Sequence, residues 1–156
     1  LLASKLEKRF AADPAIRIIR SGLGNETSER ALFIPTYRGF VYDGLASFDR
    51  DEASGWLNAS TVANFAPAHL KIEETVCRVQ RLDDLGLKPG FVKIDVQGFE
   101  PDVLLGGEQT LKACRPLILM ENNPKADAIL SGWGWSRFAW TGDGLREGAS
   151  GDGNSP

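Results

Sequence analysis

The sequence predicts an α/β fold, and three stretches carry that prediction. Phe91–Val96 alternates apolar and polar residues, which is typical of a β-strand. Gly98 ends the alternation and Glu100-Pro101-Asp102 opens a helix, because proline suits the first helical turn and acidic groups there favour the positive end of the helix dipole. The wholly apolar run Leu117–Met120 follows and predicts a central strand buried on both faces. Two strands joined by a helix are usually parallel neighbours in one sheet.

Four elements are predicted before this unit. Leu1–Phe10 carries apolar residues at helical spacing and predicts a surface helix. Ile16–Ile19, rich in β-branched residues, predicts a short strand, and Ala31–Pro35 predicts another. Leu70–Leu82 is a further strand candidate that leads toward the turn before Phe91.

Residues 36–69 form a long, weakly patterned insertion, which is more often functional or mobile than a simple connection. Its six aromatic side chains either line a substrate pocket or pack as a small cluster: Tyr37, Phe40, Tyr42, Phe48, Trp56 and Phe65. The chain's single histidine, His69, has no metal-ligand spacing around it and is interpreted as a surface or packing residue.

The end of the chain changes character. Ala126–Leu130 predicts a short helix and Phe138–Trp140 a last strand. Residues 142–156 are rich in Gly, Ser and Asp and nearly free of apolar residues, so they predict a disordered tail. Residues 1–141 are therefore expected to form one domain.

Asp95 is the first candidate for catalysis, since open α/β sheets bind ligands outside the carboxyl ends of their strands. Lys93 shares its strand face at about 6.5–7 Å along the backbone and favours an ionised Asp95. The pattern fits either a carboxylate held ready for chemistry or a strand-end residue that caps the next turn with Lys93 as its partner. Glu121 and Asn122 end the next strand, so we expect them to share a crevice with Asp95.

A loop of small residues, Ser21–Asn25, follows the predicted strand Ile16–Ile19. A ligand can approach such a backbone closely. The loop is not a dinucleotide-binding fingerprint, because the third glycine is absent. A plain hairpin turn explains the same residues equally well.

Composition narrows the function classes. The 156 residues are 42% hydrophobic with a net charge of −3 and a pI near 5.2, which fits one acidic globular domain and argues against nucleic-acid binding. No basic cluster indicates a lipid surface, and no apolar run reaches the roughly 18 residues of a membrane helix. Cys77 and Cys114 lack metal-ligand spacing and are interpreted as reduced, buried thiols of a cytoplasmic protein.

Several of these elements together resemble the FkbM-type methyltransferase family, whose pattern includes K-I-D-V-E-G-x-E, V-L-x-G and R-P. The matching stretches, in order, are Gln80–Leu85, Val92–Glu100, Val103–Gly107, Arg115-Pro116 and Glu121. Upstream, Ser21–Asn25 resembles the family's a-A-l-G-d loop, and Gly44–Phe48 resembles its small-Ser-aromatic element.

The resemblance implies a Rossmann-like class I methyltransferase sheet with helices on both faces. It also implies S-adenosylmethionine as cofactor and a hydroxyl oxygen of a small molecule or sugar as methyl acceptor. Asp95 would end the fourth strand as general base or as the group that orients the hydroxyl, and Glu121 and Asn122 would end the fifth strand. The residues expected near the adenine are Ser21, Gly22 and Leu23. The arrangement is also similar to metal-dependent O-methyltransferases, but a divalent ion is not favoured and no metal ligands are assigned.

Two departures from the family pattern define the alternatives. Gln97 stands where the family usually has Glu, and an amide can accept a hydrogen bond but cannot act as a base. The family's glycine-rich cofactor loop has no counterpart, which predicts an N-terminally incomplete sheet with an exposed edge through which the chain could oligomerise. The alternatives are a truncated or degenerate methyltransferase fragment without activity of its own, or a non-catalytic Rossmann-like binding module.

Overall fold

The computed structural model describes residues 2–148 and has a mixed α/β fold. The helices of this part of the chain are α1 (Leu2–Phe10), α2 (Arg50–Gly55), α3 (Glu100–Gly106), α4 (Glu108–Cys114) and α5 (Pro124–Gly132). Its strands are β1 (Gly22–Leu23), β2 (Ser28–Tyr37), β3 (Phe40–Val41), β4 (Leu70–Gln80), β5 (Phe91–Ile94), β6 (Leu117–Met120), β7 (Phe138–Trp140) and β8 (Leu145–Glu147). Short 3₁₀ turns cover Asp43–Leu45, Pro67–His69 and Leu82–Leu85.

Strand pairing divides the described residues into three sheets rather than the single sheet that the sequence predicts. The first has the order β1-β4-β2-β3, with β1 parallel to β4 and the other pairs antiparallel. The second is the parallel pair β5-β6, and the third is the antiparallel pair β7-β8. Both edges of β4 are occupied, by β1 and by β2, so β5 does not pair with β4.

The β5–α3–α4–β6 unit confirms the predicted strand, helix and parallel strand. Its register runs from Phe91↔Leu117 to Ile94↔Met120. The helix between the strands breaks at Gly107, which separates α3 from α4. A Cβ at Gly106 would lie 1.8 Å from the backbone oxygen of Gly24, so the glycine lets α3 approach the chain that follows β1.

The hydrophobic core lies against one face of the β5-β6 pair. Its buried members come from the turn before β5, from β5 and from the three following helices: Leu82, Ile94, Val103, Leu104, Leu111, Ala126 and Leu130. Val92, Ile118 and Met120 pack against this cluster from the same face. The prediction that β6 is buried on both faces is wrong, because the core covers one face while Leu117 and Leu119 are 70% and 53% exposed on the other.

Three further predictions need correction. Ile16–Ile19 is not a strand; the parallel pairing with β4 occurs a few residues later, at Gly22↔Val79 and Leu23↔Gln80. Residues 36–69 are less irregular than predicted, since they contain β3 and α2. The prediction of a disordered tail over residues 142–156 is wrong for β8. The backbone of this strand pairs with β7 without needing a run of apolar side chains. Residues 149–156 of that predicted tail lie outside the described residues.

None of the helices within residues 2–148 combines the length and the apolar character needed to cross a membrane.

Candidate functional site

A cavity of about 490 Å³ lies where the first sheet meets the turn between β5 and α3. Arg30 of β2 lines it, together with the segment leading into α2 and with the turn. The lining residues of those two segments are Ser47, Phe48, Asp49, Asp51, Glu52, Gln97, Gly98 and Phe99. We call this space the junction cavity.

A tight turn forms one wall of the junction cavity. Gln97 and Gly98 both have left-handed backbones, with φ of 48° and 87°, and the Phe99 amide donates to the Val96 carbonyl at 3.3 Å. This is a type I′ turn, a conformation that costs a residue other than glycine about 1–3 kcal/mol. A side chain at Gly98 would also meet the carboxylate of Glu52, 2.6 Å from the Cβ position. Gly98 therefore lets Glu52 lie against the turn.

Ser47 fixes the opposite wall to β2. It is buried, and its backbone exchanges two hydrogen bonds with Phe33, at 2.8 and 3.0 Å. The Ser47 hydroxyl donates to Glu52 Oε2 at 2.7 Å and accepts from the Asp49 amide at 3.1 Å. Asp49 caps α2 by accepting from the amides of Asp51 and Glu52, as an N-cap aspartate usually does. The carboxylate of Glu52 is thus oriented by a hydroxyl that is itself anchored to a strand.

Two aromatic rings connect the two walls of the junction cavity. Phe48 and Phe99 meet edge to face with ring centroids 5.0 Å apart, and the Arg30 guanidinium lies 5.0 Å from the Phe99 centroid. A Cβ at Gly22 would lie 3.1 Å from the Phe48 ring. The predicted cofactor residue Gly22 therefore lies directly beside an aromatic wall of the junction cavity.

The predicted adenine-side residues have structural partners of their own. Ser21 accepts a hydrogen bond from the Gln80 side chain. Gly22 and Leu23 pair with β4, and the Leu23 side chain packs against the core. Contact with a cofactor by Ser21, Gly22 and Leu23 stays a prediction.

Asp95 lies just beyond the end of β5 and does not line the junction cavity. Lys93 Nζ donates to its Oδ2 at 2.6 Å, and Gln97 Nε2 donates to its Oδ1 at 3.2 Å. The hydrogen bond from Lys93, followed by the positive charge of the same group, holds the pKa of Asp95 below its usual range. Asp95 is linked to the cavity by its hydrogen bond with Gln97, which lines the cavity.

Glu121 and Asn122 lie at the same end of the β5-β6 pair as Asp95, because Ile94 and Met120 are register partners and the strands are parallel. Both side chains are exposed, and within residues 2–148 the structure records no hydrogen bond from either to Asp95. The prediction that they share the Asp95 crevice is supported by strand position and not by contact.

A buried polar link that sequence patterns do not predict lies beside these residues. Glu100 is only 1% exposed; its Oε1 accepts from the Gly98 amide at 3.1 Å and its Oε2 from Asn123 Nδ2 at 2.7 Å. Asn123 also caps α5 through its Oδ1. The cap has a local sequence signal, Asn before Pro124. The hydrogen bond to Glu100 has none, because it joins positions 23 apart in the chain.

The aromatic side chains of residues 36–69 are divided between a cavity wall and a packed cluster, and the substrate role stays a prediction. Phe48 lines the junction cavity, whereas Tyr37 stacks on Phe65 with centroids 5.3 Å apart. His69 is exposed and meets Tyr37 edge to face, which confirms it as a surface residue. It also borders a second cavity, of about 350 Å³, with Arg38, Lys71 and Glu73.

The described residues 2–148 contain no group of three or more His, Cys, Asp or Glu side chains arranged to hold a metal ion. Cys77 and Cys114 are free thiols that are half-buried rather than fully buried.

Comparison with known proteins identifies the family. The model of the methyltransferase FkbM domain matches residues 5–131, which include both walls of the junction cavity and the whole β5–β6 unit. Searches among curated proteins and among solved structures return no significant match. The chain belongs to the FkbM methyltransferase family.

Proposed function

We propose that this protein transfers a methyl group from S-adenosylmethionine to a hydroxyl oxygen of a small molecule or sugar. The observation that carries the proposal is the junction cavity, which meets the turn after β5 in a chain of the FkbM methyltransferase family. Ligands of open α/β sheets bind outside the carboxyl ends of the strands, where this turn lies. The parallel β5-β6 pair and its connecting helices support a Rossmann-like arrangement for this part of the chain.

The cavity suits the cofactor in size and chemistry. Its volume of about 490 Å³ falls within the range of about 300–1,000 Å³ that is common for small-molecule sites. It offers one guanidinium, three carboxylates and two phenyl rings. S-adenosylmethionine carries charges of both signs and an aromatic base. Gly22 lies next to Phe48, and it would border the adenine together with its neighbours Ser21 and Leu23.

Bound S-adenosylmethionine supplies an electrophilic methyl group on a sulfonium sulfur. The protein's part is to align the acceptor hydroxyl and to guide its proton away, and much of the rate comes from that alignment. Asp95 suits this role as a charged group that orients Gln97 and would orient the hydroxyl. Its lowered pKa keeps it ionised at neutral pH but makes it a weaker proton acceptor, so orientation is better supported than general-base catalysis.

The strand-end residues Glu121 and Asn122 would border the acceptor on the β6 side. They lie at the same sheet edge as Asp95 and are exposed to solvent, which leaves them accessible to a polar acceptor. The exposed β5-β6 face and edges similarly support the proposal that the chain can associate with another subunit.

The proposal is tested by methyl transfer itself. The protein is incubated with tritium-labelled S-adenosylmethionine and a panel of alcohols and methyl glycosides, and label in the acceptor is counted. We expect transfer to a hydroxyl-bearing acceptor, and we expect Asp95→Asn to lower turnover by about 10²-fold through lost positioning. The exposed Asp84→Asn, which makes the same change away from the cavity, should keep full turnover.

Full turnover by Asp95→Asn would remove Asp95 from the mechanism. A folded chain that binds the cofactor but labels no acceptor would favour the non-catalytic binding module over the enzyme.

A further inference from the structure

Resting on the proposed function, we infer that the junction cavity binds the amino-acid end of the methyl donor, with Arg30 binding its carboxylate and Glu52 its ammonium group. The methionine portion of S-adenosylmethionine carries both charges on one carbon. A site for it needs a cation and an anion within reach of that carbon, and both kinds of group line this cavity.

The N–H donors of the Arg30 guanidinium are available to a ligand. Its Nη2 is 3.7 Å from Glu26 Oε1, but Glu26 is 65% exposed, so this ion pair is solvated and weak. The guanidinium rests over the Phe99 ring, which orients it without using its N–H donors. A planar guanidinium with free donors is well suited to a carboxylate, which it can bind through two parallel hydrogen bonds.

Glu52 is the carboxylate best placed to bind an ammonium group. Asp49 is occupied in capping α2, and Asp51 is exposed. Glu52 is half-buried, and the hydrogen bond from Ser47 to its Oε2 leaves Oε1 against Gly98 in the cavity wall. A partly desolvated carboxylate held in one orientation binds a cation more strongly than an exposed and mobile one.

The arrangement also fits the position of the reaction. Gln97 lines the same cavity and donates to Asp95 on the other side of the turn. A donor with its amino-acid end at Arg30 and Glu52 would therefore have its sulfur close to the turn that leads to Asp95.

Two adenosyl thioethers isolate the amino-acid end in a binding experiment. S-adenosylhomocysteine carries the zwitterion on a 3-amino-3-carboxypropyl group, whereas 5′-methylthioadenosine has a methyl group in place of that whole group, and both sulfurs are uncharged. Calorimetric titration of the wild-type chain should give an affinity for S-adenosylhomocysteine about tenfold or more above that for 5′-methylthioadenosine.

Two substitutions then assign the groups. Glu52→Gln keeps an acceptor for Ser47, and Arg30→Gln removes the guanidinium from a different element. Each should lower the affinity for S-adenosylhomocysteine about tenfold and leave that for 5′-methylthioadenosine unchanged. Glu74→Gln, an exposed residue of β4 outside the cavity, is the matched control and should change neither affinity. Circular dichroism checks that each variant is folded. Because the two positions lie in different elements, the result from either variant alone tests the inference.

Equal affinity of the wild type for the two thioethers, or an equal loss of both in the variants, would overturn the inference. The proposed function would survive that result if methyl transfer from S-adenosylmethionine persists. A folded chain that binds neither thioether nor S-adenosylmethionine would overturn both.

Discussion

The two main regions of this protein are stabilised in different ways. The unit from β5 to α5 contains most of the hydrophobic core, with side chains such as Leu104 and Leu111 fully buried. In the first sheet, β2 and β4 pair along ten successive positions, and Val76 in the middle of β4 is 71% exposed, while Val79 and Tyr37 at the strand ends are buried. The β5–α5 unit therefore depends mainly on side-chain packing, whereas the first sheet depends more on backbone hydrogen bonds.

The junction cavity depends on both regions at once. Its Ser47–Glu52 wall is fixed to β2 of the first sheet, and its Gln97–Phe99 wall is the turn that ends β5. The regions touch through glycine at Gly98, where Glu52 approaches, and at Gly106, where the backbone of Gly24 approaches. This difference between the two regions sorts the substitutions below. Some act through packing, some through the contact between the regions, and some through charge alone.

The largest effect is expected in the core. Leu111→Ala removes a fully buried side chain and should lower the free energy of unfolding by about 2–5 kcal/mol through lost burial and the cavity left behind. Leu117→Ala, the same change at an exposed position of β6, should stay within about 0.5 kcal/mol of wild type. Urea denaturation followed by circular dichroism measures both, and similar losses would contradict the described core.

The contact between the regions should be nearly as sensitive. Gly106→Ala places a methyl group 1.8 Å from the Gly24 oxygen, so the backbone must shift at a cost of about 1–3 kcal/mol or more. Gly132→Ala at the end of α5 meets no atom within 4 Å and should be neutral or stabilising by up to about 1 kcal/mol. Thermal unfolding compares the two variants. A harmless Gly106→Ala would mean that α3 and β1 are not in close contact.

The buried carboxylate Glu100 should show a smaller loss. Glu100→Gln replaces one of two accepting oxygens with an amide donor, which then faces the donor of Gly98 or Asn123 at a cost of about 1–3 kcal/mol. The exposed Glu108→Gln loses a surface pair with Lys112 and should cost about 0.5 kcal/mol or less. Equal stabilities of the two variants in chemical denaturation would show that Glu100 is not buried between these donors.

The smallest effect is electrostatic. Lys93→Gln removes the main cause of the lowered Asp95 pKa, which should rise toward the usual range of an aspartate, whereas Lys112→Gln should leave it unchanged. Because the folded state lowers this pKa, any stability it contributes is present above the ordinary aspartate pKa and is lost as pH falls through the lowered value. Carboxyl-carbon NMR titration measures the shift. An unaltered Asp95 pKa in Lys93→Gln would show that the ion pair with Lys93 does not lower this pKa.

The sequence predicted the β5–α5 unit well because its signals are local. Alternation over Phe91–Ile94, proline in the first turn of α3 and the short apolar run of β6 each act within a few residues. The same local signals misled at Ile16–Ile19, where β-branched residues favour a strand but the parallel pairing with β4 falls on Gly22 and Leu23 instead. Local preference does not reveal which segment provides a partner.

The candidate site was predicted only in part for the same reason. Asp95, its partner Lys93 and the turn that follows were visible in one stretch of sequence. Glu52 and Gly98 are 46 positions apart, and their proximity follows from how β2, α2 and the β5–α3 turn pack together. Exposure of Leu117 and Leu119 was likewise missed, because an apolar run does not reveal which faces are covered.

Calorimetric titration of S-adenosylmethionine into the folded 156-residue chain tests the central claim most directly. We expect one site of micromolar affinity that is weakened by Glu52→Gln and by Arg30→Gln. A chain that is folded by circular dichroism and binds no S-adenosylmethionine would contradict it.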